Sequence, residues 1–372
     1  MTYIHERPGW PELSWDDSAL VAPLAAVRHQ QGRLLGLMET LGFELQTDAD
    51  VTILTSDVVQ SSAIEGEFLN PDEVRSSIAR RLGFDTAGLP HPGRDVEGIV
   101  EVMLDATRRS AAPLTKERLC AWHAALFPTG RRGLERITVG AWRTDASGPM
   151  RVVSGPMGRE RVHFEAPAAE RLDGEMARFL EWFNAPADLD AVLRAAVAHF
   201  WFVTIHPFDD GNGRIARAIA DLALARADGT PRRYYSMSAQ IAAERKQYYR
   251  ELEQSQRGDV EITGWLTWFL GCLGRAIASA DQSLRAVFYK ARLWQRINRD
   301  PVNERQRRVI NRMLDNFKGN LSTSKYAKLA KCSTDTALRD IRDLVDRGVL
   351  TLNSAGGRST SYRLAADDRG ND

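Results

Sequence analysis

Residues 205–219, IHPFDDGNGRIARAI, restrict the fold of this chain more than any other stretch. An apolar helix, running through DAVLRAAVAHFWFVTI, has to stop at His206-Pro207, because proline lacks an amide donor and disfavours helical geometry in the residue before it. A second helix opens around Gly211-Asn212-Gly213, only a few residues later. Small residues there let backbone N–H groups at the new N-terminus come close to an anion, and the helix dipole favours phosphate. Arg214 and Arg217 lie three apart on one face with no acid between them, so the pair calls for a shared anion. Asp210 stands where a single carboxylate can hold Mg2+ already bound by phosphate oxygens. His206 can accept a proton from an incoming hydroxyl near neutral pH. Each piece alone has a plainer explanation: a turn, a core histidine, a solvated arginine face. Within a dozen residues they supply base, metal ligand, amide cradle and cation pair, the parts of a phosphoryl or nucleotidyl transfer site.

The remaining sequence fits a mainly helical protein around that loop. At 372 residues it allows two or three domains, and 50 Lys+Arg against 49 Asp+Glu leave a formal charge of +1, so any polyanion site must be local. Cys120, Cys272 and Cys332 are far apart and lack metal-ligand spacing, which argues for a reducing compartment. With neither a signal-peptide pattern nor a long apolar run, a soluble, cytoplasmic protein with no membrane partner is expected. Helix spacing predicts helices from about Asp17 to Leu41, back from Glu65 through Val51, and over 95–110, 114–128, 170–184, 190–205, 244–254 and 263–284. Asn70-Pro71-Asp72-Glu73 reads as a capping box opening a helix that stops at Gly83. The Gly/Pro-rich loop 83–95 is a candidate boundary. Two β-rich runs, Arg151 to Ser154 and Arg161 to Phe164, flank Gly155-Pro156-Met157-Gly158 and predict a hairpin, either a structural flap or a place for another extended chain to pair.

HPFDDGNGRIAR, residues 206–217, matches the HPFx(D/E)GNGRxxR signature of the Fic family, enzymes that mostly transfer AMP from ATP to a protein hydroxyl. The resemblance extends from about Gly93 to Leu273. It implies that His206 is the general base, Asp210 the Mg2+ ligand and Phe208 a buried anchor. It also implies that Gly211, Asn212 and Gly213 bind the α- and β-phosphates, and Arg214 and Arg217 the β- and γ-phosphates. Doc-type relatives that transfer phosphate carry lysine at the position of Gly213. Tyr248 and Tyr249 resemble the family's paired tyrosines near the nucleotide, with simple core packing as the alternative. Val153 and Ser154 correspond to the flap near the substrate, whose sequence departs from the Ile-Pro-Pro version after the second strand.

One glutamate is out of place by ordinary rules. Glu65 closes a helix just before Gly66, where a carboxylate meets the negative end of the dipole at a cost of roughly 0.3–1 kcal/mol unless a cation compensates. A solvated glutamate before a C-cap glycine is the plain alternative. Ser61 to Gly66, SSAIEG, resembles the (S/T)xxxE(G/N) inhibitory motif of Fic proteins, which implies that Glu65 pairs with Arg217 in the place of the γ-phosphate. Ser61, four residues earlier, is expected to help orient the carboxylate.

Beyond the linker INRDPVNE, three helices (304–317, 323–332, 334–348) and two strands within 349–364 follow the winged helix-turn-helix order. Asp335, Asp340, Asp343 and Asp346 offset Arg339, Arg342 and Arg347 on the presumed recognition helix. Arg305, Arg307, Arg308 and Arg312 on the preceding helix suit a solvated or protein-contacting face equally well. This balance favours protein contacts or self-association, including a homodimer, over DNA. The expected plan is an N-terminal helical domain carrying the inhibitory helix (1–92), a Fic core with following helices (93–298) and a winged-helix-like domain (301–366). The expected function is transfer of AMP from ATP, with Mg2+, to a Ser, Thr or Tyr hydroxyl of a target protein or of the chain itself, restrained by Glu65. A deAMPylase of the same fold and a DNA-binding regulator with a nucleotide-sensing core are the alternatives.

Overall fold

The computed structural model describes residues 2–84, 90–132, 135–146, 148–156, 159–186, 188–297, 301–314, 317, 319–353 and 360–365. Part of the 83–95 loop, the hairpin tip at Met157-Gly158, three linker residues (298–300) and the Gly/Ser turn (354–359) lie outside the described residues. The chain divides into two compact units, Met1–Ser283 and Leu284–Asp372.

The first unit is built on helices α1 (Asp17–Glu39), α2 (Phe43–Ile64), α3 (Pro71–Arg81), α4 (Arg94–Arg108) and α5 (Lys116–Leu126). They are followed by α6 (Leu172–Asn184), α7 (Ala191–Ile205), α8 (Asn212–Asp228), α9 (Met237–Ala243), α10 (Arg245–Gln256) and α11 (Thr263–Ser283). Short strands β1 (Arg131–Arg132) and β2 (Glu135–Arg136) pair with each other, as do β3 (Arg151–Ser154) and β4 (Arg161–Glu165). The predicted hairpin is therefore present, antiparallel, with an irregularity between Val152 and Val153.

At the centre α7 packs along α8. Apolar on every side, α7 is buried without interruption from Ala195 to Ile205, as expected for a helix with no solvent face. Alanines at 216, 218, 220, 223 and 225 of α8 are all buried, and their small side chains let neighbouring helices approach. Larger buried residues such as Phe200, Phe202 and Ile219 each contribute about 1.5–3 kcal/mol relative to exposure. Around this pair, α4 and α5 pack on α8, α6 and α11 on α7, and α2 against α3, α4, α8 and α9.

Two local expectations change. α2 begins at Phe43, well before Val51, through a first turn and a half that is mostly polar and only partly buried, and it buries two aspartates, one at each side of its midpoint. Asp50 pairs with Arg108 and accepts the Arg233 N–H at 2.8 Å, while Asp57 accepts from Ser236 and from the Ser238 N–H. At the start of α3, Asn70 Oδ1 accepts the Asp72 N–H as expected, at 3.0 Å, while Glu73 accepts from Asn70 Nδ2 at 3.5 Å and from the Gly93 N–H at 3.1 Å.

The second unit contains α12 (Arg285–Ile297), α13 (Glu304–Leu314), α14 (Thr323–Ala330), α15 (Thr334–Asp346) and the antiparallel pair β5 (Leu350–Leu352) and β6 (Tyr362–Leu364). Its core gathers Val309, Ile310, Leu321, Tyr326, Ile341, Leu344 and Leu350. The helix 285–297 lies in a stretch for which no helix was expected.

Candidate active site

The loop between α7 and α8 is closed by its own side chains. His206 ends α7 in the left-handed region, φ 53°, a conformation costing a non-glycine residue roughly 1–2 kcal/mol. Arg143, almost wholly buried, holds it there. The Arg143 Nε donates to the His206 carbonyl at 2.9 Å, and the Arg143 backbone N–H donates to the Pro207 carbonyl at 2.9 Å. Phe208 is fully buried, its ring stacked on His123 with centroids 4.2 Å apart. His123 Nε2 in turn donates to the Asp210 carbonyl at 3.2 Å, because Nδ1 accepts the Gly140 N–H. Neither Arg143 nor His123 was foreseen; nothing near them in sequence marks them as partners of a loop some 63 to 87 residues further on.

Asn212 Oδ1 accepts the Phe208 N–H at 3.0 Å and its Nδ2 donates to the Phe208 carbonyl at 2.7 Å. The side chain is thus committed to holding the loop. Asp210 Oδ1 accepts the Gly211 N–H at 2.6 Å. At Gly213 an added Cβ would lie 2.2 Å from Glu65 Oε1, so only glycine lets that carboxylate rest against the first turn of α8.

His206 Nδ1 lies 3.2 Å from the Val203 carbonyl and must be the protonated nitrogen, which leaves Nε2 as the basic one. Burial lowers its pKa to about 4; Arg143 acts in the same direction, while the Val203 carbonyl, Asp210 and Glu65 oppose it. The ring is therefore neutral at physiological pH. Burial likewise lowers His123 to about 4, which suits its role as a neutral donor to the loop.

The cation that Glu65 requires is Arg217. Glu65 Oε1 accepts from Arg217 Nη2 at 2.7 Å, with the Arg217 side chain 1% exposed and that of Glu65 30%. Burial works against the guanidinium charge, but Glu65 together with Tyr248 and Tyr249 outweighs it and the pKa of Arg217 rises. The carboxylate also meets the positive end of α8, which offsets its unfavourable place at the end of α2. Ser61 acts differently from expectation: its Oγ accepts from Arg217 Nε at 3.0 Å and its carbonyl from Arg217 Nη2 at 2.8 Å. It holds the arginine rather than the glutamate.

Arg214 does not share an anion with Arg217. Its Nη1 donates to Glu67 at 2.6 Å. Glu67 is delivered by Gly66, whose φ of 87° turns the chain so that the Glu67 N–H donates back to the Ser62 carbonyl at 3.0 Å. Burial raises the pKa of Glu67; Arg214 opposes the rise, while Asp210, Glu65 and Asp95 add to it. Among the described residues, Arg217 Nη1 and Arg214 Nε are buried donors without a hydrogen-bond partner.

Tyr248 lies in the core with its hydroxyl 2.9 Å from His199 Nε2, whereas Tyr249 is 37% exposed and donates to the Ile64 carbonyl at 3.4 Å. On the hairpin Val153 is 48% exposed, and Ser154 Oγ lies 2.6 Å from His163 Nε2. No group of three or more metal-ligating side chains occurs among the described residues. No helix among them is long and apolar enough to cross a membrane.

Known proteins share this architecture. Residues 113–224 match the Fic/DOC family, and residues 3–84 match a domain of unknown function, DUF4172. Protein adenylyltransferase fic-1 of Caenorhabditis briggsae is 27% identical over 208 residues, 55% of this chain and 37% of the relative. Protein adenylyltransferase Fic of Nematostella vectensis is 38% identical over 96 residues, 25% of this chain and 21% of the relative. The chain thus spans well under half the length of these relatives. A Fic family protein from Desulfovibrio desulfuricans G20 shares the fold over 95% of this chain and 97% of its own, with TM-score 0.57 and 22% identity. A Fic domain containing signaling protein from Bacteroides thetaiotaomicron VPI-5482 does so over 70% and 98%, with TM-score 0.50 and 18% identity. Residues 113–224 thus form a domain similar to the Fic/DOC family, in a chain whose fold a Fic family structure shares.

Proposed function

We propose that this protein transfers AMP from ATP to a Ser, Thr or Tyr hydroxyl of a protein, and that Glu65 and Glu67 restrain it by holding the two phosphate-binding arginines. The observation that carries this is Arg217, a buried guanidinium whose acidic partner is a removable glutamate and whose Nη1 is unmatched. A buried cation with an incomplete set of acceptors at a helix N-terminus suits a polyphosphate. His206, neutral with Nε2 basic, takes the proton of the attacking hydroxyl. The phosphates are assigned to the backbone at Gly211, Asn212 and Gly213, where the Gly211 N–H must first leave Asp210 Oδ1, and Arg214 and Arg217 orient the terminal ones. Asp210 would hold Mg2+: one carboxylate beside a phosphate cradle fits an ion that takes most of its ligands from phosphate and water. When bound, the ion neutralises phosphate charge. Tyr249, beside the end of α2, and Val153 and Ser154 on the hairpin are assigned to nucleotide and target contacts, and Tyr248 to supporting them from the core.

Relatives named protein adenylyltransferase support the reaction class. Removal of AMP is a second reading, favoured by the 30% exposure of the Glu65 side chain, which lets water reach the same carboxylate. We assign three domains, 1–92, 93–298 and 301–366. The last serves protein contact rather than DNA reading, since Arg305 is tied to Asp340 at 3.0 Å.

Mass analysis of the chain and added acceptor proteins after incubation with ATP and Mg2+ tests the assignment. AMP addition that His206→Ala abolishes while ATP binding survives is the expected result. Release of AMP from a pre-modified protein, without addition, supports the second reading. Full transfer by His206→Ala removes His206 from the role of base.

A further inference from the structure

Helices α2 and α8 run antiparallel and meet in steps of one turn. At the N-terminal end of α8, Glu65 lies against Gly213, where an added Cβ would come within 2.2 Å of Oε1. One turn along, Ser61 Oγ accepts from Arg217 Nε at 3.0 Å. This step moves four residues back on α2 and four forward on α8, so the next one sets Asp57 against Asp221. Both side chains are buried, at 4% and 2% exposure.

Among the described residues, only one oxygen of each has a donor. Asp57 Oδ1 accepts from the Ser236 hydroxyl and, at 3.1 Å, from the Ser238 N–H; Asp221 Oδ1 accepts from Arg233 Nη2 at 3.0 Å. The Oδ2 atoms of both are buried and unpartnered. Two ionised carboxylates could only accept, and they would repel. The cations nearby do not relieve this. Arg217 is taken by Ser61 and Glu65, and Arg233 also pairs with Asp228 at 2.9 Å, which in turn accepts the Tyr235 hydroxyl. One guanidinium thus serves three carboxyls, Asp57, Asp221 and Asp228. Burial first, and then the Asp57 charge, push the Asp221 carboxyl well above the usual range against the opposing pull of Arg233 and Arg217.

We propose that Asp57 and Asp221 share one proton between their Oδ2 atoms, and that this bond fixes α2 on α8 in the register that brings Ser61 and Glu65 to Arg217. A proton held between two buried acids satisfies both free oxygens and removes their repulsion. The aspartates are positioning residues, acting through Arg217. The shared proton stands apart from any reaction, while its consequence for AMP transfer deepens the restraint reading above and rests on it.

Infrared spectroscopy of the full chain at about pH 8, with isotope-labelled aspartate, reads the proton directly. The carbonyl stretch of a protonated carboxylic acid, moved by the label, is expected in the wild type. It should vanish in Asp57→Asn and Asp221→Asn, whose amides donate in the proton's place. Absence of the band from the wild type, or its retention at full strength in either variant, overturns the proposal. Hydrogen exchange reads the register. Amides of residues 58–62 should exchange about ten-fold faster in Asp57→Ala, the size of one lost hydrogen bond, and at the wild-type rate in Asp57→Asn. Asp221→Ala serves where Asp57→Ala does not fold. Equal exchange in the alanine variant and the wild type overturns the positioning role. Asp57→Ala should also raise AMP transfer about five-fold, and Asp57→Asn should not. Transfer unchanged in Asp57→Ala while Glu65→Gly raises it again overturns that role. No transfer by any variant, Glu65→Gly included, sinks the AMP-transfer reading, and the band and the exchange rates then decide the pair by themselves.

Discussion

Two ion pairs in this molecule are built from the same chemistry and turned inside out. In the first unit the cation is buried and the acid reaches the surface: the side chains of Arg217 and Glu65 are 1% and 30% exposed. In the second unit the acid is buried and the cation is outside: those of Asp340 and Arg305 are 8% and 43% exposed. The buried member belongs to the fold, and the exposed member is the replaceable one. Losing Glu65 leaves a desolvated guanidinium in need of an anion, which is the beginning of a binding site. Losing Arg305 leaves a carboxylate that still accepts from the Tyr326 hydroxyl at 3.3 Å and Asn303 Nδ2 at 3.3 Å, which is only a weaker core contact.

The contrast breaks most severely at Arg217. Arg217→Ala should lower AMP transfer by about 10²–10³-fold, whether or not Glu65 is present, because it removes the anion's partner together with the restraint. Initial rates of AMP incorporation check this, and near wild-type rates would return Arg217 to a structural role. Glu65→Gly should act in the opposite direction and raise transfer roughly 5–150-fold, the usual span of a coupling between sites. An unchanged rate in a folded protein would leave Glu65 an ordinary helix-ending glutamate. Glu67→Gln should raise transfer by a smaller factor, about two- to five-fold, since the Glu67 side chain is 49% exposed and such pairs are weak. Combined with Glu65→Gly its effect should exceed the product of the two single changes or fall short of it, because both acids act on one nucleotide; strict multiplicativity would separate the two contacts. The smallest effect belongs to the inverted pair. Arg305→Ala should leave AMP transfer unchanged and lower the Tm by no more than about 4 °C, as followed by calorimetry.

What could be read from the sequence divides along the same line of locality. The HPFDDGNGRIAR loop is legible because its parts are consecutive. The hairpin is legible from two β-rich runs around a Gly-Pro turn. The Glu65–Arg217 contact, 152 residues apart, was within reach only because a carboxylate at the wrong end of a helix implies a cation somewhere, and the family motif says where. Glu67, His123 and Arg143 carry no such contradiction: each suits its own helix or loop locally, and its partner is supplied by tertiary packing. The early start of α2 was hidden for the related reason that Asp50 interrupts the apolar pattern while being buried against Arg108 and the Arg233 N–H. Ser61 was placed correctly on its helix, but its Oγ accepts from Arg217, the carboxylate's cation, rather than orienting the carboxylate itself.

Glu65 lies one residue beyond the last helical position of α2, at a C-cap followed by a glycine in the left-handed region. Helix ends fray in nanoseconds to microseconds without disturbing the helix behind them. Withdrawal of this carboxylate therefore asks for the unwinding of a single terminal turn, not for the departure of a domain. Under the proposed restraint, nucleotide would meet a fast equilibrium whose strength is set by how well one turn holds together rather than by how tightly two domains adhere.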